Sequence, residues 1–177
     1  MTEIQAQLFN MAQHSATAAE LLQDAVCDGC RTCVAQISDL NRQAISDLSE
    51  LERRHFTARD LSPTYLNAAQ TLAACVSQAF SAAMILPDDL PMLPPLADIA
   101  DCNAQLAAHL GKIISRDDTA VPFYSLHLIA NKARGAHALL LTNYCLSAVG
   151  ARLLPLVYAL EAHRNYLERA CGQLLQI

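Results

Sequence analysis

Tryptophan is absent from this chain of 177 residues, and aromatic residues of all kinds make up only 5% of it. So few rings argue against a sheet-built core, which draws on aromatic and β-branched side chains. Glycine is scarce at five residues, and no glycine-rich phosphate loop can be assembled from them. Basic runs are missing too: nothing exceeds the pair Arg53-Arg54, and the formal charge is −5. Nucleic acid is thereby excluded as a partner. No window reaches ~18 uninterrupted apolar residues, so no membrane insertion is expected. The start, Met1-Thr2-Glu3-Ile4-Gln5, lacks the basic-then-apolar order of a secretory leader, and a soluble cytoplasmic protein is the expectation.

What the chain has in quantity is alanine and leucine, within a hydrophobic content of 53%. That mixture favours helices packed closely through small side chains. One domain over 1–177 suits the length, enough to bury roughly 70% of the unfolded surface. Seven cysteines is an odd number, and Cys75, Cys102, Cys145 and Cys171 sit singly in helical stretches. Buried, reduced thiols explain this better than a disulfide framework.

The organising stretch is Ile37 to Phe80. Ile37, Leu40, Ala44, Leu48 and Leu51 form one apolar helical stripe, and Leu66, Ala69, Leu72, Val76 and Phe80 form a second. Arg59-Asp60-Leu61 interrupts them, and Ser62-Pro63 opens the second helix with a preferred cap and a proline at the first position. A first helix runs from Thr2, its N-cap, to about Val26. Asp28-Gly29 then turns the chain, and helix 2 runs from Cys30 or Arg31 to about His55. Helix 3 stops near Leu86. A proline-rich linker follows over 87–95, then helix 4 over Leu96 to Ile114 and a turn at Arg116-Asp117-Asp118-Thr119. Helix 5 spans about Val121 to Ala148, Gly150 breaks it, and helix 6 takes Arg152 to Leu175 with Pro155 in its first turn.

The halves repeat. A shift of 88 residues lays Leu8, Ala12, Ala16, Ala19 and Leu22 on Leu96, Ala100, Ala104, Ala107 and Leu110, and also pairs Leu66 with Leu154, Leu72 with Leu160 and Ala82 with Ala170. The middle helices pair at a shift of 89, Ile37 on Leu126 and Leu51 on Leu140. The expected architecture is all-α, an elongated six-helix bundle of two three-helix repeats, 2–86 and 96–177.

The helix with Ile37, Leu40 and Ala44, the connection with Phe56, Arg59 and Asp60, and the helix with Leu66, Ala69 and Leu72 together resemble the PhoU-like phosphate-transport regulators. The similarity is greatest to the small single-chain branch associated with inorganic phosphate permeases. Ile129, Ala133, Leu160 and Glu161 echo the pattern in the second half. The resemblance implies a six-helix bundle of two three-helix repeats. It also implies a non-enzymatic regulator acting by protein–protein contact on a membrane phosphate transporter or a signalling protein. That family carries carboxylates at i and i+4, which share one helix face and hold iron or zinc. The matching positions here read Asn41 and Ile45, Ala73 and Ser77, and Asn131 and Gly135; only Glu161, followed by Asn165, keeps half a pair. The scaffold is retained and the acidic site is not.

Cys27-Asp28-Gly29-Cys30-Arg31-Thr32-Cys33 is the densest reactive feature. Two C-x-x-C spacings in series suit a soft metal, zinc, copper or iron, on Cys27, Cys30 and Cys33 with a fourth ligand from Cys75, Cys102, Cys145, Cys171 or a histidine. They suit a redox-sensing dithiol equally well. Glu52-Arg53-Arg54-His55 fits half of a di-iron signature without its second half, and also fits a charged helix end. His14, His109, His127, His137 and His163 lie scattered along helices. The repeat aligns His14 with Cys102 and Cys75 with His163, which would line a Cys/His interior suited to copper or zinc. No triad spacing appears, and no enzyme is expected. The apolar linker Leu90-Pro91-Met92-Leu93-Pro94-Pro95 is a candidate homodimer contact.

Overall fold

The computed structural model describes residues 2–58, 62–91, 93–115, 123–144 and 147–177, and they form an all-α bundle. Its helices are α1 (Glu3–Asp28), α2 (Thr32–Ala58), α3 (Pro63–Met84), α4 (Pro94–Ser115), α5 (Phe123–Tyr144) and α6 (Ala148–Leu174). The Arg59-Asp60-Leu61 interruption, the Arg116–Thr119 turn, the expected start of α5 at Val121-Pro122, and Met92 and Cys145 lie outside the described residues.

Four helices make the centre. α1 packs on α4, α3 on α6, α1 on α3 and α4 on α6, while α2 covers the α1/α3 pair and α5 covers the α4/α6 pair. Every contact within the first three helices therefore has a counterpart within the last three. The stripes explain the order: Ile37, Ala44 and Leu51 of α2 and Ala69, Leu72 and Val76 of α3 are fully or almost fully buried, with Leu40, Leu48, Leu66 and Phe80 packed against them. The residues of α1 and α4 that match at a shift of 88 belong mostly to the buried core. Leu8, Ala12, Ala19 and Leu22 are buried, as are Leu96, Ala100, Ala104, Ala107 and Leu110. Small side chains in a core let helices approach closely, and leucines fill the spaces between them.

Local signals set the helix starts. Thr2 Oγ1 accepts from the Gln5 backbone N–H at 3.2 Å and the Gln5 side chain accepts from the Thr2 N–H at 2.9 Å, a reciprocal capping box. Ser62 caps α3 ahead of Pro63.

Three sequence-based boundaries need correction. Pro94 and Pro95 belong to α4 rather than to the linker, because a proline in the first helical turn gives up an N–H that has no partner there. α5 ends at Tyr144, and α6 starts at Ala148, so Gly150 lies within its first turn. Ser147 is the true break, since its Oγ accepts from the Gly150 N–H at 2.9 Å and caps the new helix. Pro155 consequently sits deeper inside α6. It is exposed, as is Ala151, so the carbonyl that loses its helical partner faces solvent. In the linker, Leu90 and Leu93 pack against the core, so they are not an open apolar contact.

Candidate functional site

The cysteine hairpin joins α1 to α2. Gly29 adopts the left-handed conformation, φ 67°, that closes α1, a conformation any other side chain would strain. The chain reverses there, which leaves Cys27 on the last turn of α1, Cys30 in the connection and Cys33 in the first turn of α2. Cys33, buried, donates through its thiol to Cys30 Sγ at 2.7 Å, and Cys30 Sγ also contacts Thr32 Oγ1 at 3.2 Å. Hydrogen bonds from Cys33 and then Thr32 lower the pKa of Cys30 below the ordinary thiol value. Burial, with the bond to Cys30 second, pushes Cys33 up to about 11. One thiol thus ionises more easily than usual and its neighbour less easily. Cys27 behaves differently: burial first, then the charges of Asp28, Asp101 and Asp24, raise its pKa.

Arg31, between the paired thiols, reaches across to the linker. Its Nη1 donates to the Leu86 carbonyl at 3.2 Å and its Nη2 to Asp88 Oδ1 at 2.7 Å. Asp89, next along, receives Arg152 of α6 at 2.7 Å. A half-open groove of about 240 Å³ lies beside that pair, lined by Pro87, Pro91, Val149 and Leu153.

Glu161 belongs to an ionic seam between α5 and α6. His137 Nδ1 lies 2.9 Å from Glu161 Oε2, Arg164 pairs with both Glu161 and Glu168, and Arg134 of α5 also pairs with Glu168. Arg164 is the unusual member, since only 4% of it is exposed. The matching positions of the first half are the apolar Ile45, Leu48, Ala73, Val76 and Phe80. At these positions the second half carries ions and the first hydrocarbon, while α3 reaches α2 elsewhere through Ser77 donating to Asn41 at 2.8 Å. Glu161 is already satisfied by two cations, and its i+4 neighbour is Asn165, so the residues present do not fit a carboxylate-bridged iron or zinc centre.

The remaining candidates are dispersed. Among the described residues, no three His, Cys, Asp or Glu side chains converge on a point that a metal ion could occupy. Cys27 therefore does not complete a three-ligand set with Cys30 and Cys33. Cys75, Cys102 and Cys171 are free and buried. His163 is fully buried, His14 lies 3.6 Å from Asp47, and His127 is exposed. Glu52 accepts from Gln70 at 3.2 Å, and His55 stacks edge-on with Phe56 at the end of α2. Arg164 and the clasp of Arg31 were not singled out from sequence. The Glu161/Arg164/Glu168 spacing carried the first signal, while nothing local carried the second.

No described helix is long and apolar enough to cross a membrane. No protein-family profile and no curated protein matches this sequence.

Proposed function

We propose that this chain is a PhoU-like regulatory protein: a non-enzymatic cytoplasmic scaffold that binds a protein partner in phosphate transport or its signalling. Without a family match, the reading rests on architecture. The observation that carries it is the correspondence between the halves. α1/α2/α3 and α4/α5/α6 pack in the same way, and the buried polar residues Ser15 and Asn103, 88 positions apart, each donate to a leucine carbonyl of the third helix of their own half. Two equivalent three-helix units in one bundle is the arrangement that the PhoU-like resemblance implies. α5, on the outside of the bundle, turns Tyr124, Leu128 and Leu139 outward along one face, at 75%, 58% and 48% exposure. We assign partner contact to this face.

The test is co-purification. The tagged chain is expressed in its own host together with the host's phosphate permease, and both are isolated in mild detergent. Stoichiometric permease, lost in the Tyr124→Ser/Leu128→Asp double variant with helicity intact, is the expected result. Permease and phosphate-signalling proteins both staying behind would remove the reading.

A further inference from the structure

We infer that Cys30 and Cys33 form a reversible redox site, a dithiol that closes to a disulfide by exchange with small disulfides of the oxidised-glutathione class. This goes beyond the regulatory reading and does not depend on it. Three observations carry the inference. The two sulfurs are already 2.7 Å apart, linked by the Cys33 proton. Cys33 lies in the first turn of a 27-residue helix and Cys30 two residues ahead of it, where unpaired backbone N–H groups favour a thiolate. Finally, their surroundings differ, Cys30 half-buried beside the exposed Arg31 and Thr32, Cys33 buried beneath it. An accessible attacking sulfur over a sheltered resolving sulfur is the division of labour that thiol–disulfide exchange needs.

The exchange balances as follows. The Cys30 thiolate attacks one sulfur of the small disulfide, whose S–S bond breaks and releases one small thiolate. That thiolate takes the Cys33 proton. The Cys33 sulfur then attacks Cys30 Sγ, a protein S–S bond forms, and the second small thiolate leaves and is protonated from solvent with the proton Cys30 gave up earlier. The protein pair loses two electrons and two protons, and the small disulfide gains them as two thiols. Excess small thiol reverses each step. Cys27 is left out because Gly29 separates it from the pair, and burial, then three aspartates, disfavour its thiolate.

The location gives oxidation something to act on. The ring closed by the disulfide contains Arg31, whose guanidinium holds Leu86 and Asp88 of the segment joining the halves.

The experiment equilibrates the full-length native protein with glutathione redox buffers, quenches it in acid, alkylates free thiols and maps the peptides by mass spectrometry. The expected product is a Cys30–Cys33 disulfide, about 2 Da lighter than the dithiol, reversed by reduced glutathione and retained in Cys27→Ser. In Cys33→Ser, Cys30 accumulates as the mixed disulfide with glutathione, at least about tenfold faster than Cys33 reacts in Cys30→Ser. Wild-type mapping stands without the variants, so a destabilised Cys33→Ser does not rescue the idea. Pairing of Cys27 with either thiol, equal reactivity of Cys30 and Cys33, or a native pair that stays reduced throughout the buffer series would each overturn it.

Discussion

Ser15 and Asn103 stand 88 residues apart and do the same work. Ser15 Oγ donates to the Leu72 carbonyl at 3.2 Å, and Asn103 Nδ2 donates to the Leu160 carbonyl at 2.9 Å. Each ties the first helix of a half to the third. Ser15 also donates to Met11 within its own helix at 3.0 Å, so its hydrogen is shared between two acceptors. Ser15→Ala is expected to cost about 1 kcal/mol, a net hydrogen bond with almost no cavity. Asn103→Ala is expected to cost about 2 kcal/mol, because a void is added to the lost bond. Urea unfolding of both variants measures the difference; equal midpoints would show that the two bonds are not energetic equivalents set in different volumes.

Burial alone holds the pKa of His163 down to about 4, against an ordinary value near 6.5. The sign follows. Between pH 6.5 and 4 the unfolded chain takes up a proton at this position that the folded chain refuses, so stability is full above 6.5 and falls as pH drops toward 4. The loss is at most about 3 kcal/mol. His109, lowered by burial and then by Lys112, works in the same direction. His163→Met isolates one from the other: its unfolding free energy should change less between pH 7 and pH 4.5 than that of the wild type. An unchanged slope would place the acid sensitivity elsewhere.

Much of the fold was legible in the sequence, for identifiable reasons. The α2 and α3 stripes are long, periodic and uninterrupted, and Thr2 and Ser62-Pro63 are caps whose chemistry is local. Pro94-Pro95 and Gly150 misled because proline and glycine are read as breakers, whereas a first helical turn tolerates both and Ser147 had already supplied the stop. In the hairpin, the C-x-x-C spacing was visible twice. Which two thiols pair was not, because that depends on the left-handed turn at Gly29, which leaves Cys27 behind on α1. The Ser15/Asn103 correspondence escaped notice since a repeat is found by identities, and here the role is kept while the residue differs. The Arg31 clasp joins residues 55 and 57 apart, beyond the reach of any periodic pattern.

Arg164 and Arg134 both bind Glu168 but from different depths, at 4% and 43% side-chain exposure. Arg164→Met leaves Glu161 and Glu168 each short of a partner at a half-buried seam, and about 2–3 kcal/mol of stability should be lost. Arg134→Met should cost less than about 1 kcal/mol, and raising the salt concentration should shrink that difference further. Chemical denaturation at low and high salt separates the two; comparable losses would mean that the seam is held by net charge, not by the buried guanidinium.

Gly135 lies in the middle of α5, exposed, and a Cβ built there meets no atom within 4 Å. Alanine lowers the backbone entropy of the unfolded chain and adds no clash, so Gly135→Ala should raise stability by about 0.5–1 kcal/mol. Amide hydrogen exchange should slow along α5 in step. Faster exchange would contradict the outward placement of this face.

The most direct measurement of the proposed regulatory role is uptake of labelled inorganic phosphate by the host with and without this chain, in phosphate-replete and phosphate-starved cells. Deletion is expected to change uptake in at least one condition, wild type to restore it, and Tyr124→Ser/Leu128→Asp to fail while remaining folded. Identical uptake curves in both conditions would contradict a role in phosphate transport and leave the dithiol to be pursued as the chain's principal chemistry.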